Sequence, residues 1–433
     1  MPVNSAVKYV RHQEAPAGSP PVAARAGDLV FVGGQLPVHP VEGIPAETLL
    51  SKGMPFHGSL IEKQLRYLYS NLDTHLAEVG TSLKKIMKIN SFQIHGEDID
   101  MALRIRRDWF DRETPPPSTM GLVTELPARD ARVMIDLINV AEDANLPMTS
   151  VKVTKSPSIA QVKSIGWPVY SQVVKGGGFV FTRGTTTQNA NGPLPEMALD
   201  HPFPYALDQV EFQLRYQLDR MKELLADAGC SLSDAVKAEI LLSDMSDIVS
   251  VNKVWAEYFP VDPPARVIVP IEKIPPMRIE SEVIAVDPNG PYKKETIYTN
   301  DAPTPLGPEP QAVKAGPYVF ISGQMATDYE SGLAPEASVD PRFPNHASSA
   351  KLQAQYILKN VDAICRAAGT SAANIVKRRI HHTDLNEMPK AEAVWRSQLG
   401  DDRIPPTSTF RGMGPLPVPD CTIQYDLIAY APD

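Results

Sequence analysis

Cysteine is scarce. The 433 residues hold three, Cys230, Cys365 and Cys421, far apart and odd in number. That excludes a disulfide framework and a cysteine zinc knuckle, and points to a reducing compartment. No apolar run reaches the 18 or more residues of a membrane-spanning helix. The N-terminal Met1-Pro2-Val3-Asn4-Ser5 lacks an apolar signal core. Basic runs are missing too, and the net charge is −9, which argues against nucleic acid as a main partner. Histidine, cysteine and aspartate clusters at metal-ligand spacing are also lacking, so no metal and no cofactor is expected. A cytoplasmic protein with a small-molecule partner, and neither nucleic acid nor membrane as partner, is the expectation. Proline is plentiful at 42 residues, but it is dispersed among turns and forms no low-complexity tract.

What the chain does have is repetition. A nine-residue phrase runs from Ala26 to Gly34, again from Gly176 to Gly184, and again from Ala315 to Gly323, each with a Val-Phe core. A second phrase keeps the same register. Gln64-Leu65-Arg66-Tyr67, Gln213-Leu214-Arg215-Tyr216 and Gln353-Ala354-Gln355-Tyr356 each open a helical pattern that runs on to Lys88, Lys237 and Lys377. Recurrence at domain-sized intervals means three copies of one module, and the length agrees with about three domains. The copies are expected at 1–147, 148–289 and 290–433.

Each copy reads ββαβαββ, an α+β module. In the middle copy a strand near Tyr170–Val174 turns at Gly176-Gly177-Gly178 into the strand Phe179–Thr182, a hairpin in which glycine permits the return. The apolar stripe Ile61, Leu65, Leu68, Leu72, Leu76 and Val79 marks the first helix of copy one. Gly80, Gly229 and Gly369 stop the first helices. A strand from Ala235 to Leu242, a helix near Ile248–Phe259 and closing strands Arg266–Ile271 and Arg278–Val286 complete the middle copy. Both helices should cover one sheet face. The other faces could meet around a pseudo-threefold axis, an intramolecular pseudo-trimer, as closed cyclic oligomers do. Three separate beads on a string is the competing arrangement. The chain would be a monomeric pseudo-trimer or a higher assembly of it.

Tyr170-Ser171-Gln172, the strand ending at Gly184, Asp234–Lys237, Pro263-Pro264-Ala265-Arg266 and Ile279–Ala285 together resemble the reactive intermediate deaminase (Rid, YjgF-like) family. The resemblance covers essentially the whole chain and implies a chorismate-mutase-like fold with ligand clefts between neighbouring modules. It implies hydrolysis of reactive enamines and imines to 2-oxo acids and ammonia, without a cofactor. Carried over, Arg266 would clamp the substrate carboxylate and Glu282 would activate water. Gly184 would lend its N–H, and Tyr170 and Asn252 would shape the pocket. A guanidinium grips a carboxylate bidentately as lysine cannot, and an already electrophilic imine needs little beyond one carboxylate to handle water.

From pattern alone, a strand arginine followed by a strand glutamate reads as a surface ion pair, Gly184 as a turn glycine and Asn252 as a solvated helix residue. Lys88, Lys237 and Lys377, in one slot of all three copies, read equally as cleft or ion-pair residues. Only the middle copy carries the arginine: Ser118 and Ser408 stand in its place, and Asp136 and Asp426 stand where Glu282 does. Tyr170 is matched by Pro20 and Glu309, and Asn252 by Leu103 and Glu392. Copies one and three therefore lack the clamp and are read as degenerate, with a neutral ligand at Ser118-Thr119 or Ser408-Thr409 as the other reading. Arg183 replaces a small residue before Gly184. It could favour a dicarboxylate or larger anion, or pair with a neighbouring acid. Trp167-Pro168-Val169 alters the cleft lip. The pair His381-His382 points to opposite faces of a strand.

The expected function is cofactor-free deamination of an imine, enamine or related small carboxylate. Arg266 and Glu282 are the catalytic candidates, with Tyr170, Arg183, Gly184, Lys237 and Asn252 as substrate-binding candidates. The competing readings are a non-catalytic sensor of small carboxylates and a hydrolase or lyase on a different substrate.

Overall fold

The computed structural model describes residues 7–54, 56–154, 170–189, 192–193, 208–272 and 277–432. Trp167-Pro168-Val169 and most of the Gln188–Pro204 loop lie outside them.

Three six-stranded sheets repeat one topology. In the first, the strands stand in the order Val7–Val10, Ala23–Ala26, Leu29–Gln35, Val133–Val140, Ile86–Gln93, Ser118–Leu122. All neighbours are antiparallel except the last pair, which is parallel and linked by a helix. The ββαβαββ order holds, and each copy adds a short edge strand ahead of it: Val7–Val10, Thr149–Ser150 and Lys294–Ile297. One expectation fails locally. The middle copy's hairpin strand starts at Val173, and Tyr170 precedes it.

The helices follow from their sequences. Helix α1 (Leu60–Val79) is capped by the Ser59 side chain, which accepts from Glu62 N, and ends at Gly80 with φ 82°. Its six stripe residues are all buried. Helices α3 (Gln209–Asp227) and α5 (Ser349–Ala367) repeat it, with Asp208 and Ser348 as caps and left-handed Gly229 and Gly369 just beyond their ends. The second helices are α2 (Ile99–Ile105), α4 (Ile248–Tyr258) and α6 (Met388–Leu399). Each copy's helices cover one face of its sheet over a separate apolar core.

The opposite faces meet. One cluster takes Phe31 and Met87 from the first copy, Phe179 and Phe181 from the second, and Tyr318, Phe320 and Val376 from the third. Phe179 lies edge-on to Tyr318 and to Phe320, with centroids 5.5 Å apart in each pair. Tyr318 Oη donates to Ala26 O at 2.8 Å, so even the phenol is satisfied across modules. The three copies close into an intramolecular pseudo-trimer.

Closure is also ionic, and cyclic. Lys88 of the first copy pairs with Glu282 of the second at 2.8 Å. Lys237 of the second pairs with Asp426 of the third at 2.5 Å. Lys377 of the third pairs with Asp136 of the first at 2.8 Å. A register shift just before each lysine, at Ile86/Lys88, Ala235/Lys237 and Ile375/Lys377, re-aims the strand there. Arg379 joins the ring, gripping Asp136 with two nitrogens at 3.0 and 3.1 Å and Glu239 with the third at 2.6 Å. Burial pushes Asp136 up, but Arg379 and Lys377 hold it below the usual carboxylate range. These side chains enclose a cavity of about 30 Å³ on the axis, the scale of one water molecule.

Strand Ile375–His382 shows the two-sided burial. Lys377, Arg379 and His381 face the axis, while Arg378, Ile380 and His382 face the helices. Both histidines are buried, His381 with Nδ1 2.9 Å from Gln424 Oε1. Among the described residues no metal-type cluster surrounds them.

Two outcomes follow. Phe179→Ala should lower unfolding free energy by about 3–5 kcal/mol in denaturant titration, with all three modules unfolding in one transition. Separate transitions would show independent modules. Burial pulls both His381 and His382 down to about 4. Their contribution to stability is fully present above the unfolded value of about 6.5 and is lost as pH falls toward 4, by up to about 3 kcal/mol each. Glu239, which burial raises, works the other way in that window. Titration from pH 7 to 4 should therefore show a fall in stability that is flatter in His382→Gln.

Candidate functional site

Between the first two modules an open cleft of about 230 Å³ is lined by Ile99, Leu103, Ser118 and Met120 on one wall. Tyr170, Arg183, Gly184 and Glu280 line the other. The first wall is the α2 helix and the Ser118–Leu122 edge strand. The second is the end of the phrase Gly176–Gly184 and the start of the Ile279–Val286 strand. The regular pairing of these two strands ends at Phe181 and resumes at Thr185 opposite Ser281. In that interruption Arg183 and Gly184 are turned to the cleft, a use of bulged strands common beside functional sites.

Arg183 is buried. Its Nε donates to Gln172 Oε1 at 2.5 Å and its Nη1 to Gly184 O at 2.7 Å, and its guanidinium carbon stands 5.9 Å from the Tyr170 ring centre. Burial lowers the pKa of Arg183, while Tyr170 and Glu280 raise it. A guanidinium stays protonated in any case. Burial raises the Tyr170 phenol, with Arg183 opposing. Gly184 is glycine because of close approach. A Cβ there would collide with the Glu280 carboxylate and come within 2.7 Å of Thr119 Oγ1. Its N–H donates to Ser118 O at 3.1 Å, so that donor serves the module contact.

The seven expected site residues do not meet in one place. Tyr170, Arg183 and Gly184 lie in this cleft. Arg266 and Asn252 lie in the next one, between the second and third modules. There Arg266 Nη2 bonds Asn252 Oδ1 at 2.7 Å and pairs with the Glu309 carboxylate of the third module. Its guanidinium carbon stands 5.3 Å from the Trp255 ring centre, and its backbone N–H donates to Ser322 Oγ at 3.1 Å. Glu309, which holds the place of Tyr170 in the repeat, occupies the clamp. Glu282 and Lys237 belong to the axial ring and line neither cleft. The physical reason is modular: the arginine strand and the hairpin of one module face different neighbours, so one copy supplies halves of two clefts.

The remaining cleft, between the third and first modules, is closed by backbone. A Cβ on Gly33 would lie 2.6 Å from Thr407 N, and one on Gly34 2.9 Å from Ser408 Cα. Thr407, not Ser408, holds the place of Arg266, standing opposite Arg378 as Arg266 stands opposite Ala238. Ser408 Oγ turns to the axis and donates to Asp136 at 2.9 Å. Arg378 is buried there against Trp395, 4.4 Å from the ring centre, and pairs with Glu392 at 2.7 Å.

Two residues escaped the sequence reading. Glu280 lies two positions before Glu282 on the same strand face, so alternation could not tell the two apart, and only Glu282 was a candidate. Arg106 stands in repeat register with Trp255 and Trp395, and an arginine in a tryptophan slot was a visible signal. It is buried under the first cleft, where its Nη1 donates to Ser118 Oγ at 2.9 Å.

The endoribonuclease L-PSP family model matches the chain three times, over residues 13–141, 163–287 and 299–431. A RutC family protein of Pyrococcus horikoshii is 32% identical over 137 residues, which are 32% of this chain and 98% of that protein. The chloroplastic Reactive Intermediate Deaminase A of Arabidopsis thaliana is 31% identical over 143 residues, 33% of this chain and 71% of that protein. The solved structure of E. coli TdcF with bound serine is 31% identical, covers 31% of this chain and 98% of its own, and has a TM-score of 0.25. Each of these relatives spans about one module. The chain belongs to the endoribonuclease L-PSP family, the reactive intermediate deaminase (Rid, YjgF-like) proteins, and carries three copies of the family's module in one polypeptide.

Proposed function

We propose that the chain is a cofactor-free hydrolase that deaminates the imine or enamine of a small carboxylate, in the cleft between the first and second modules. One observation carries this reading: Tyr170, Arg183 and Glu280 converge over Gly184 in an open cleft, while the other two arginine-bearing clefts are filled by the protein's own groups.

Arg183 holds the substrate carboxylate in a charge-assisted contact. Glu280 takes a proton from the attacking water. The new C–O bond forms at the imine carbon while the C=N π pair moves to nitrogen. The same carboxyl returns that proton to nitrogen, giving a carbinolamine. Glu280 then takes the hydroxyl proton and passes it to the amine, and collapse to the carbonyl breaks the C–N bond and expels ammonia. An enamine first tautomerises to the imine: its terminal carbon gains a proton from water and its nitrogen gives one up. Tyr170 closes the apolar side. Positioning and one proton relay suffice for an electrophile of this kind.

A second reading, a sensor that binds a small 2-oxo acid without turnover, draws on those two filled clefts. Ammonia release from 2-aminoacrylate, generated in place by a dehydratase, separates the two. On the enzyme reading Glu280→Gln lowers the rate by roughly 10²–10⁴-fold. Arg183→Ala lowers it by roughly tenfold or more, and Arg266→Leu leaves it within about twofold. Binding with no turnover in the wild type supports the sensor. Loss of activity on Arg266→Leu, with fold retained by circular dichroism, moves the site to the next cleft.

A further inference from the structure

Each of the three clefts buries one arginine around the same pair of repeat positions, reached from a different place in the sequence. Arg266 pairs with Glu309, and Arg378 pairs with Glu392. Each also lies against a tryptophan, Trp255 or Trp395. In the first cleft the tryptophan slot is Arg106 itself, and it reaches the hydroxyl of Ser118, which stands where Arg266 does. Arg106 is 1% exposed. Its neighbours are Tyr69, Phe110, Ser118 and Tyr170. Its Nε has no hydrogen-bond partner, as is true of Arg266 Nε and Nη1 and Arg378 Nη1, so what sets it apart is its charge balance. Among the described residues no carboxylate pairs with it.

A buried cation without a counter-charge is costly, and proteins pair such groups or bind an anion. The two sister arginines show the paired solution. Arg106 is built for the other. Its proton goes to Ser118 Oγ, and Ser118 lines the open cleft. Accepting from Arg106 on one of its two lone pairs, the Ser118 hydroxyl keeps its own proton to donate to a ligand in the cleft. An anion there meets a hydroxyl donor backed by a full positive charge. Arg183 lies on the opposite wall.

We propose that this cleft takes a dianion, a small dicarboxylate carrying the reacting imine or enamine, with one carboxylate on Arg183 and the other on Ser118 backed by Arg106. This rests on the cleft between the first two modules being the site. Arg106 acts through Ser118 and is a positioning residue that sets specificity.

The test is calorimetric binding of two acids of equal chain length, 2-oxoglutarate and 2-oxopentanoate, to the full chain. The wild type should prefer the dicarboxylate by roughly tenfold or more, the scale of one added charge-assisted hydrogen bond. Ser118→Asp places an internal carboxylate on Arg106, as Glu309 does for Arg266. It should bring the two affinities within about twofold of each other and raise the melting temperature. Arg106→Gln should erase the preference too, and because it removes a buried group its fold is checked by circular dichroism. Equal affinities in the wild type, or a preference that survives Ser118→Asp, would overturn the dianion assignment. Arg183→Ala separates the two levels: if neither acid loses affinity there, or neither binds the wild type, the cleft is the wrong place and both readings fall together.

Discussion

Each module hands one lysine to an acid of the next, and the third hands its own back to the first. Lys88 to Glu282, Lys237 to Asp426 and Lys377 to Asp136 form a closed circuit around the axis. Buried ion pairs are weak evidence of net stability, because desolvation offsets the attraction, but breaking one by removing a partner is costly, about 3–5 kcal/mol. Their value here lies in specifying which face meets which. The apolar cluster of Phe31, Phe179, Tyr318 and their neighbours supplies the adhesion, and is non-directional. The circuit fixes order and register, and register decides which half-sites face each other.

Covalent linkage of three modules frees each cleft to diverge, and the outcome is readable in charge. In the second cleft an internal glutamate sits on the arginine. In the third, glycine backbone presses against the Thr407-Ser408 strand, and the local arginine is again matched by a glutamate. The first cleft keeps its volume, its carboxylate and two buried guanidiniums. Two filled clefts and one open one leave the cleft between the first and second modules as the proposed place for a ligand.

Much of this was legible in the chain. The repeats, the helix stripes, the left-handed glycines and the ring itself came from periodicity and from a sheet face that no helix covers. Glu282 and Lys237 sit in slots shared by all copies, and the structure places both in the axial circuit rather than in a cleft. The partner of Arg266 was not legible, because sequence register cannot say that Glu309, 43 residues on, folds back onto it from the next module. Glu280 was hidden by an i, i+2 ambiguity that the pleat cannot resolve. Arg106 was hidden because its signal is a departure from its sister copies, visible only once the tryptophans are aligned.

The central claim is that ligand occupies the cleft between the first and second modules. A crystal structure of the full chain soaked with a 2-oxo acid tests it most directly. The account expects density against Arg183 and Glu280, with the Arg266–Glu309 pair unbroken. A ligand carboxylate seated on Arg266 with Glu309 displaced would contradict it.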